Sequence, residues 1–332
     1  MKLLVVGGAG YLGSVTAQQL CEAGHDITVC DNLSTGNAWA VLPDVRFVPG
    51  DISNEESLDL VLKDGYDAVL HFAGLSLAAA SLREPVRYLR ANVAGSLCLL
   101  HAMRKHGVRR LISSSSATIY GQPAGTLVSE SAPAQPLTPY AASQLAIEEA
   151  IGFQAAATDL GAVSLRYFTV AGASGPLGEW HHPETHLVPA TLQVGAGVRA
   201  AVPVYGTDYD TPDGTAVRDY VHVADVARAH ALALEATTDP GHQVFNVGTG
   251  VGHSVRQVVD VARSVTGHAI PTMDAPRRDG DAGRLVASTR LVRDALGWVP
   301  VHSDLHTIVD DAWNWMRAHL GSRVGTDSKP TR

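Results

Sequence analysis

Two residues of this sequence, Tyr140 and Gln144, combine chemical type and spacing in a way that suggests catalysis. They are four positions apart in residues 139–145, a segment typical of a helix start, so they share one helix face. A phenol has a pKa of about 10 and becomes an effective base when a nearby cation favours the phenolate. A lysine at the fourth position would supply that cation, whereas Gln144 is neutral. The pair therefore predicts a tyrosine acid/base that lacks this electrostatic support.

The amino-terminal residues are arranged to hold a dinucleotide against a helix. Residues 2–6 form an apolar run suited to a buried parallel strand, and residues 7–13 follow with the spacing G-x-x-G-x-x-G. A helix is predicted over 14–23 and a second strand over 27–30, which ends at Asp31. The glycine turn lets backbone approach a pyrophosphate, and the Asp31 carboxylate binds ribose hydroxyls and repels a 2′-phosphate, which favours NAD over NADP. The contacts predicted here are Gly7, Gly10, Tyr11, Leu12, Gly13 and Asp31.

Further strands alternate with helices and end in small or polar residues. They are predicted over 45–48, 67–74 and 109–113. This alternation predicts an α/β fold with a Rossmann-type doubly wound parallel sheet, whose ligands lie at the carboxyl ends of the strands. Asn92 falls in a predicted helix, where a packing or capping amide is the alternative to a cofactor contact. The strand ends add Asn32, Asp51, Ile52, Phe72, Ala73 and Gly74 to the predicted cofactor contacts.

The composition excludes several classes of function. The chain has 332 residues, 45% hydrophobic and 17% charged, with a formal net charge of -8 and no block of basic residues. We therefore expect a globular enzyme with neither a nucleic-acid nor a membrane partner. The apolar run 3–6 leads directly into glycines, so it is read as neither a signal peptide nor a membrane span. Cys21, Cys30 and Cys98 lack metal-ligand spacing and are expected to be reduced thiols of a cytoplasmic protein.

Taken together, these residues resemble the extended short-chain dehydrogenase/reductase superfamily, and within it the UDP-glucose (UDP-galactose) 4-epimerases. The resemblance covers nearly the whole chain. The motifs that carry it lie at 7–13, 71–74, 114–121, 139–140, 165–168, 205–209, 213–215, 217–225 and 275–281. A match of this extent is specific for the family and less specific for the sugar.

The resemblance implies 4-epimerisation of a UDP-sugar of the UDP-galactose/UDP-glucose type through a transient 4-keto intermediate. NAD is implied to take a hydride from C4 and return it to the opposite face. Tyr140 is then the acid/base and Ser116 its hydrogen-bonding partner on O4. Gln144 stands where the family has a lysine, and its amide can still donate to a ribose hydroxyl of NAD. The other residues implied to line the cofactor are Asn92, Ser114 and Phe168.

The carboxyl-terminal half is implied to supply a smaller, interleaved α/β substrate-binding domain. Arg218 and Arg278 would clamp the diphosphate, since guanidinium groups bind phosphate oxygens bidentately. Thr169 and His186 stand where the family has asparagines. The implied substrate contacts are Ser116, Tyr140, Thr169, His186, Leu187, Pro203, Tyr205, Arg218, Tyr220, Arg278 and Asp281. The predicted boundaries are 1–168 with 218–248 for the NAD-binding domain, 169–217 with 249–320 for the substrate domain, and 321–332 for a disordered tail.

Two further expectations concern assembly and metals. The resemblance implies a homodimer, formed through the helices around residues 83–104 and 141–155. His181, His182, Glu184 and His186 have the residue types of a metal site. However, the adjacent pair of histidines does not converge on one ion, and the family needs no metal. No metal site is therefore expected.

Several alternatives to this function stay open at the level of sequence. One is the same scaffold with impaired chemistry, either a natural binding protein or the product of a deliberate Lys-to-Gln substitution, and another is an epimerase specialised for a modified sugar. A nucleotide-sugar dehydratase is disfavoured, because such relatives place Asp-Glu directly after the residue matching Ser116, whereas Ala117 and Thr118 follow here. A pure interaction module would not need the glycine turn, Asp31 and the arginine pair together.

Overall fold

The structure is a computed structural model that describes the backbone of residues 1–323 and the side chains of residues 1–320. Its strands are β1 (Lys2–Val6), β2 (Asp26–Asp31), β3 (Arg46–Pro49), β4 (Ala68–His71), β5 (Arg110–Ser116), β6 (Gly161–Tyr167), β7 (Thr169–Ala171), β8 (Ala173–Ser174), β9 (Leu177–Gly178), β10 (Val202–Tyr205), β11 (Val217–His222), β12 (Gly241–Val247), β13 (Gly252–Ser254), β14 (Thr272–Ala275) and β15 (Arg284–Leu285). Its α-helices are α1 (Tyr11–Glu22), α2 (Glu55–Leu62), α3 (Ala78–Ser81), α4 (Pro85–Tyr88), α5 (Gly95–Lys105), α6 (Pro139–Ala157), α7 (Leu187–Gly195), α8 (Val223–Ala236), α9 (Val255–Thr266), α10 (Arg290–Leu296) and α11 (Leu305–Arg323). A π-helical turn, Leu89–Ala94, joins α4 to α5.

Seven parallel strands of the described residues form the central sheet, in the order β12-β6-β5-β4-β1-β2-β3. The chain begins in the middle at β1, adds β2 and β3 on one side, and then crosses to β4 on the other. The order thus reverses between β1 and β4, and sheets of this kind bind ligands in the crevice outside the strand ends at such a reversal. The predicted Rossmann-type doubly wound α/β fold is confirmed.

The side chains of β1 alternate between two apolar cores on opposite faces of the sheet. Leu3 and Val5 belong to one core, which residues of α1 and α8 and the fully buried Trp298 complete. Leu4 and Val6 belong to the other core, which includes residues of α2, α5 and α6. Because successive strand residues point to opposite faces, this short apolar strand attaches two helical layers to the sheet and fixes the position of its own carboxyl end.

A smaller set of strands and helices lies beyond the central sheet. Strand β11 pairs with β7, β13 and β15, β10 pairs with β14, and α7, α9 and α11 share a separate apolar core. The boundary predicted at residue 218 falls inside β11. Because β11 hydrogen-bonds to β7 and β13, we propose that the second segment of the NAD-binding domain begins instead at Val223, the first residue of α8.

Several predicted elements are present with shifted ends. The first helix begins at Tyr11, because the extended Gly10 is its N-cap, rather than at residue 14. Strand β5 continues to Ser116, beyond the predicted end at 113, because it stays paired with β6 along its whole length. This extension places Ser116 at the carboxyl edge of the sheet, where the crevice lies.

The end of the chain is described only in part. Residues 321–323 continue α11, which corrects the start of the predicted disordered tail, and residues 324–332 lie outside the described part. Within residues 1–323, no helix combines the length and apolar character that crossing a membrane requires.

Candidate active site

The glycine turn after β1 has no room for side chains at two of its positions. Gly7 has a φ of +80°, and a Cβ there would lie 2.4 Å from the backbone nitrogen of Ala73, just beyond β4. A Cβ on Gly13 would lie 2.4 Å from the carbonyl oxygen of Gly7. Gly10 caps α1 without a side-chain hydrogen bond, so the first N–H groups of the helix are left for an anion. This geometry fits a dinucleotide pyrophosphate.

The side chains of the next two residues of the turn are directed into the protein. The hydroxyl of Tyr11 donates to the carbonyl oxygen of Gly172 at 2.7 Å, and Leu12 packs against the apolar core beside the sheet. Any contact of Tyr11 or Leu12 with the cofactor is therefore made by the backbone N–H groups, which the start of a helix leaves available.

Acidic groups lie at the ends of β2 and β3. The carboxylate of Asp31 accepts hydrogen bonds from the backbone N–H groups of Ala9, at 3.0 Å, and Leu33, at 2.8 Å. The side-chain amide of Asn32 donates to Asp51 at 2.8 Å. The negative charge of Asp31 is thus tied to the glycine turn, where it opposes the extra phosphate of NADP.

Asn92 fixes the loop that follows β4. Its side chain is fully buried in the π-helical turn. The amide oxygen accepts from the backbone N–H of Leu75 at 2.8 Å, and the amide nitrogen donates to the Leu75 carbonyl and to the hydroxyl of Ser143, each at 3.0 Å. Asn92 therefore positions the loop carrying Gly74, and direct contact with the cofactor remains a prediction.

Other predicted cofactor residues also make contacts within the protein. The side chain of Ile52 is buried in the second core, and the Ser114 hydroxyl donates to the carbonyl of the last residue of β4 at 2.8 Å. The ring of Phe72 lies 4.6 Å from that of His230, between centroids. The backbone N–H of Phe168 donates to the last residue of β12 at 3.0 Å. The Ile52 side chain is unavailable, so a contact there falls to its backbone.

Tyr140 is held in place by residues around the start of α6. Thr138 is the N-cap of this helix, and Ser81 accepts a hydrogen bond from the backbone N–H of Tyr140 at 3.1 Å. Ser116 ends β5, and its hydroxyl lies 2.9 Å from that of Thr118. The helix start and the strand end thus bring the Ser116 hydroxyl close enough to the Tyr140 phenol to lower its pKa.

The surroundings of Tyr140 favour the neutral phenol. Burial raises the pKa of Tyr140, the hydrogen bond with Ser116 lowers it, and Tyr88 raises it again, so that the pKa lies above that of free tyrosine. Neither Ser116 nor Tyr88 carries a positive charge. At neutral pH the residue is therefore a proton donor that becomes a base only at a cost in free energy.

The lysines of residues 1–323 lie far from this phenol. Gln144, one turn after Tyr140, has a side chain that is only 8% exposed. Lys2 donates to the carbonyl of Asp64 at the amino-terminal end of the sheet, Lys63 is the C-cap of α2, and Lys105 pairs with Asp59 at the end of α5. Lysine therefore supplies no substitute, within the described residues, for the missing charge at Gln144.

A buried ion pair lies one turn further along α6. Glu148 accepts hydrogen bonds from Nε and Nη2 of Arg166, at 3.0 and 2.6 Å, and another from the hydroxyl of Ser115. Arg166 also donates to the hydroxyl of Tyr120 at 2.8 Å. The pair neutralises its own charge and locks α6 to β5 and β6, which keeps Tyr140 at a fixed height above the sheet.

Five of the predicted substrate residues lie together in the smaller domain. The carboxylate of Asp281 accepts from Nε of Arg278 at 2.9 Å and lies 4.0 Å from Nη2 of Arg218. The guanidinium of Arg278 lies over the ring of Tyr205, 4.6 Å from its centroid. Burial raises the pKa of Tyr220 to about 12, an effect that the nearby Arg218 and Arg278 oppose. The two guanidinium groups have the donor geometry that a diphosphate requires.

This arginine cluster adjoins the helix that carries Tyr140. A Cβ on Gly280 would lie 2.6 Å from a side-chain carbon of Thr138, the N-cap of α6. The turn between Arg278 and Asp281 therefore packs against the start of the helix that carries Tyr140. The arginine cluster and Tyr140 thus lie on adjoining parts of the structure.

The remaining predicted substrate residues are distributed around this cluster. Thr169 begins β7, which pairs with β11, and Pro203 lies in β10. His186 is the N-cap of α7, and Leu187, the first residue of that helix, packs against the third core. The imidazole Nδ1 of His186 hydrogen-bonds to the carboxylate of Glu179. Its role therefore includes a contact with the protein that the sequence did not predict.

The sequence analysis missed several residues that position the site. Thr138 directly precedes Pro139, and a threonine before a first-turn proline is a helix-start signal that could have identified it. Ser81 and Ser143 gave no such signal. Ser81 bonds to Tyr140 and Ser143 to Asn92, and both partners are more than 50 residues away in sequence.

Comparisons with known proteins identify the family of this chain. The model of the NAD dependent epimerase/dehydratase family matches residues 3–248. A UDP-glucose 4-epimerase of Corynebacterium glutamicum is 50% identical, over 97% of this chain and 98% of its own length. The crystal structure of UDP-glucose 4-epimerase from Bifidobacterium longum in complex with NAD+ and UDP superimposes with a TM-score of 0.93 at 34% identity, covering 96% of this chain and 99% of that one.

A second solved structure is similarly close. It is UDP-glucose-4-epimerase from Stenotrophomonas maltophila with bound NAD and formylated UDP-arabinopyranose, with a TM-score of 0.92 and 38% identity over 97% of this chain and 99% of that one. The predicted resemblance and the predicted cofactor, NAD, are confirmed. The chain belongs to the NAD dependent epimerase/dehydratase family, among relatives that are UDP-glucose 4-epimerases.

Proposed function

We propose that this protein is an NAD-dependent isomerase that inverts C4 of a UDP-sugar of the UDP-galactose/UDP-glucose type. The observation that carries the proposal is the Tyr140 phenol in contact with the Ser116 hydroxyl, at the strand ends beside the glycine turn. Relatives of this chain with the same overall architecture are named UDP-glucose 4-epimerases.

NAD, Tyr140 and Ser116 have separate roles in the proposed reaction. Bound NAD supplies a hydride acceptor for C4 of the sugar. Tyr140 takes the O4 proton as the ketone forms and returns it when the alcohol is restored, so the same phenol is base and then acid. Ser116 hydrogen-bonds O4 and holds the sugar hydroxyl against the phenol. The ion pair of Glu148 and Arg166 maintains the distance between α6 and β5, on which this proton transfer depends.

The substrate side of the site supplies the binding energy. Arg218 and Arg278 neutralise the diphosphate, and the Asp281 carboxylate between them holds both guanidinium groups in position. Tyr205, under the guanidinium of Arg278, offers an aromatic face for the uracil. Because these contacts are remote from C4, the keto sugar can turn about its anchored diphosphate and present its opposite face.

Gln144 makes the proposed chemistry slower than it would be with a lysine. The neutral amide keeps a donor for a ribose hydroxyl, but it cannot stabilise the phenolate of Tyr140. Two alternatives follow from this position and from Thr169. One is a binding scaffold with impaired catalysis, and the other is an epimerase for a modified nucleotide sugar, such as the formylated UDP-arabinopyranose found in a related structure.

An NMR time course of the purified protein with UDP-galactose tests these functions. We expect UDP-glucose to appear, and the variant Tyr140→Phe, which removes only the hydroxyl, to form none. Conversion by Gln144→Lys alone would indicate a scaffold with impaired catalysis. An absence of conversion by both proteins, each with NAD bound, would reject UDP-galactose as the substrate and favour a modified sugar.

We also propose that the protein is a homodimer that pairs through α4, the π-helical turn, α5 and α6. Phe153 of α6 is 76% exposed, and Val86 and Leu97 nearby in this helical region are 61% and 48% exposed. Exposed apolar side chains on neighbouring helices are typical of a protein interface. Phe153→Arg should halve the mass measured by light scattering, whereas Val301→Arg, at a residue 69% exposed elsewhere, should not. A monomeric unmodified protein would contradict the proposal.

A further inference from the structure

Four side chains with metal-binding chemistry converge beside the site, in the segment between β9 and α7. They are Glu179, His181, Glu184 and His186. One ligand atom from each lies within 4.8 Å of every other. This cluster has no part in the proton-transfer chemistry of Tyr140, so its occurrence needs a separate explanation.

Three nitrogen–oxygen separations in the cluster, two of them to different oxygens of Glu184, lie near the edge length of a metal coordination tetrahedron. Nδ1 of His181 lies 3.1 Å from Oε1 of Glu179 and 4.0 Å from Oε2 of Glu184. Nδ1 of His186 lies 3.7 Å from Oε1 of Glu184. Zinc bonds to nitrogen and oxygen of about 2.1 Å place tetrahedral ligands about 3.4 Å apart, which is within the observed range. Nδ1 of His186 and Oε1 of Glu179 are in direct hydrogen-bonding contact, so these two atoms would move apart to admit an ion at the centre.

The burial of the two carboxylates points to a cation as well. The side chains of Glu179 and Glu184 are 7% and 3% exposed. Both hydrogen bonds that Glu184 accepts from the backbone, from Thr185 and His186, are made to Oε1, while Oε2 is directed toward His181. Two carboxylates buried side by side repel each other unless a positive group lies between them. The imidazole of His186, which hydrogen-bonds to Glu179, can meet that requirement for one carboxylate, and a divalent ion would meet it for both.

We propose that Glu179, His181, Glu184 and His186 bind a structural Zn²⁺ ion. Two imidazole nitrogens and two carboxylate oxygens form a mixed donor set that suits zinc better than the oxygen-binding ions Mg²⁺ and Ca²⁺. Because the protein supplies all four ligands, no position is left for substrate or water, which is the arrangement of structural sites. The inference is independent of the epimerase activity.

The location of the cluster indicates what the ion would do. His186 is the N-cap of α7, the first helix of the smaller domain. The two glutamates lie close enough to Tyr11, at the start of α1, to raise the pKa of its phenol together with burial. Zinc would therefore tie the loop before α7 into a fixed shape between the glycine turn and the substrate side. Its effect would be on the order and stability of that loop.

The structure also explains why the sequence argued against a metal. That argument rested on the adjacent pair of histidines, and His182 is indeed exposed and outside the cluster. Glu179, which the sequence analysis did not include, takes the fourth position. The folded loop brings together residues at spacings of two, three and two, so that the side chains at 179, 181, 184 and 186 converge while His182 is exposed.

Zinc binding to the full chain tests the proposal directly. Protein freed of metal with a chelator is titrated with Zn²⁺ in competition with a chromophoric indicator, and bound zinc is counted by mass spectrometry. We expect one tightly bound ion per chain in the unmodified protein and in His182→Ala, the matched control. His181→Ala and Glu184→Gln should lose this ion. Tetrahedral Co²⁺ should give its visible bands in the first two proteins only.

Thermal unfolding supplies a second measurement. Zinc should raise the Tm of the unmodified protein and of His182→Ala, because an ion that binds only the folded state stabilises it. Zinc should leave the Tm of Glu184→Gln unchanged. Because this variant is nearly isosteric, it tests the loss of a ligand even if His181→Ala fails to fold. The proposal is overturned if the unmodified protein binds no zinc tightly, or if the ligand variants bind it as well as His182→Ala does.

Discussion

Replacing Gln144 by lysine is the perturbation that tests the catalytic argument most directly. The phenol of Tyr140 is half-buried in neutral surroundings, and the loss of solvent around it raises its pKa and disfavours the phenolate. Lysine at the position one helical turn away would place an ammonium group beside it. We expect Gln144→Lys to epimerise UDP-galactose faster than the unmodified protein, with most of the gain in kcat.

The size of the effect can be estimated from the geometry. Side chains four apart on a helix have Cβ atoms about 6 Å apart. Two unit charges at that distance interact by about 3 kcal/mol at an effective dielectric constant of about 20. Since about 1.4 kcal/mol is a factor of ten, the phenolate would be about 100-fold more populated at neutral pH. The Gln144 side chain is only 8% exposed, so desolvation of the ammonium would reduce this gain toward about tenfold.

The pH dependence separates a charge effect from a packing effect. Below the pKa of Tyr140, the phenolate fraction of the unmodified protein, and with it kcat, should rise about tenfold per pH unit. In Gln144→Lys the same rise should end at a lower pH, because the cation lowers the pKa. Gln144→Met, which has similar volume and no charge, is the matched control.

Two results would refute this reasoning. Equal kcat values and superimposable pH profiles for the unmodified protein and Gln144→Lys would show that Tyr140 is already activated by another group. Equal gains in Gln144→Met and Gln144→Lys would show that shape, rather than charge, limits the rate. Tyr140→Phe should be inactive in either background, which verifies that the phenol performs the measured step.

Three further predictions address binding and stability. Gly7→Ala should abolish NAD binding, measured as the cofactor released on denaturation, because its Cβ would lie 2.4 Å from the backbone of Ala73. Gly24→Ala, at a positive φ with open surroundings, should retain NAD. Equal NAD retention by the two variants would refute the argument. Glu148→Ala should lower the free energy of unfolding in urea by about 3–5 kcal/mol, since it leaves the guanidinium of Arg166 buried and unpaired; a loss below about 1 kcal/mol would contradict this. Arg278→Lys, which keeps the charge but loses the planar fork, should raise KM for UDP-galactose about 10–100-fold with little change in kcat, and an unchanged KM would exclude it from the clamp.

Most of the central sheet was predictable because its signals are local. Short apolar runs followed by glycine or polar residues mark buried parallel strands, and the chain alternates them with helices in the order that a doubly wound sheet requires. The errors lie at the ends of elements. The domain boundary predicted at residue 218 falls inside β11, whose pairing with β7 and β13 is a long-range property that the sequence does not show.

The candidate residues of the site could be proposed from the sequence for a related reason. Tyr140, Ser116 and the glycine turn belong to compact motifs whose neighbours in sequence are also their neighbours in space. Ser81, which holds the backbone of Tyr140, carries no motif of its own. Asn92 was predicted to contact the cofactor, but its amide hydrogen-bonds to Leu75 and Ser143. These contacts exist only in the folded chain, so the sequence could not predict them.

The sequence by itself determined the dinucleotide fold, the preference for NAD and the absence of a lysine at position 144, since each depends on residue types within one short segment. Tertiary structure decided which charges meet. It brings Arg218 and Arg278 to either side of Asp281, keeps the lysines of residues 1–323 away from Tyr140, and gathers four ligands around one point before α7. The physical reason is that pKa shifts, ion pairs and metal coordination fall off within a few ångströms, and distances of that size between remote residues exist only in the folded chain.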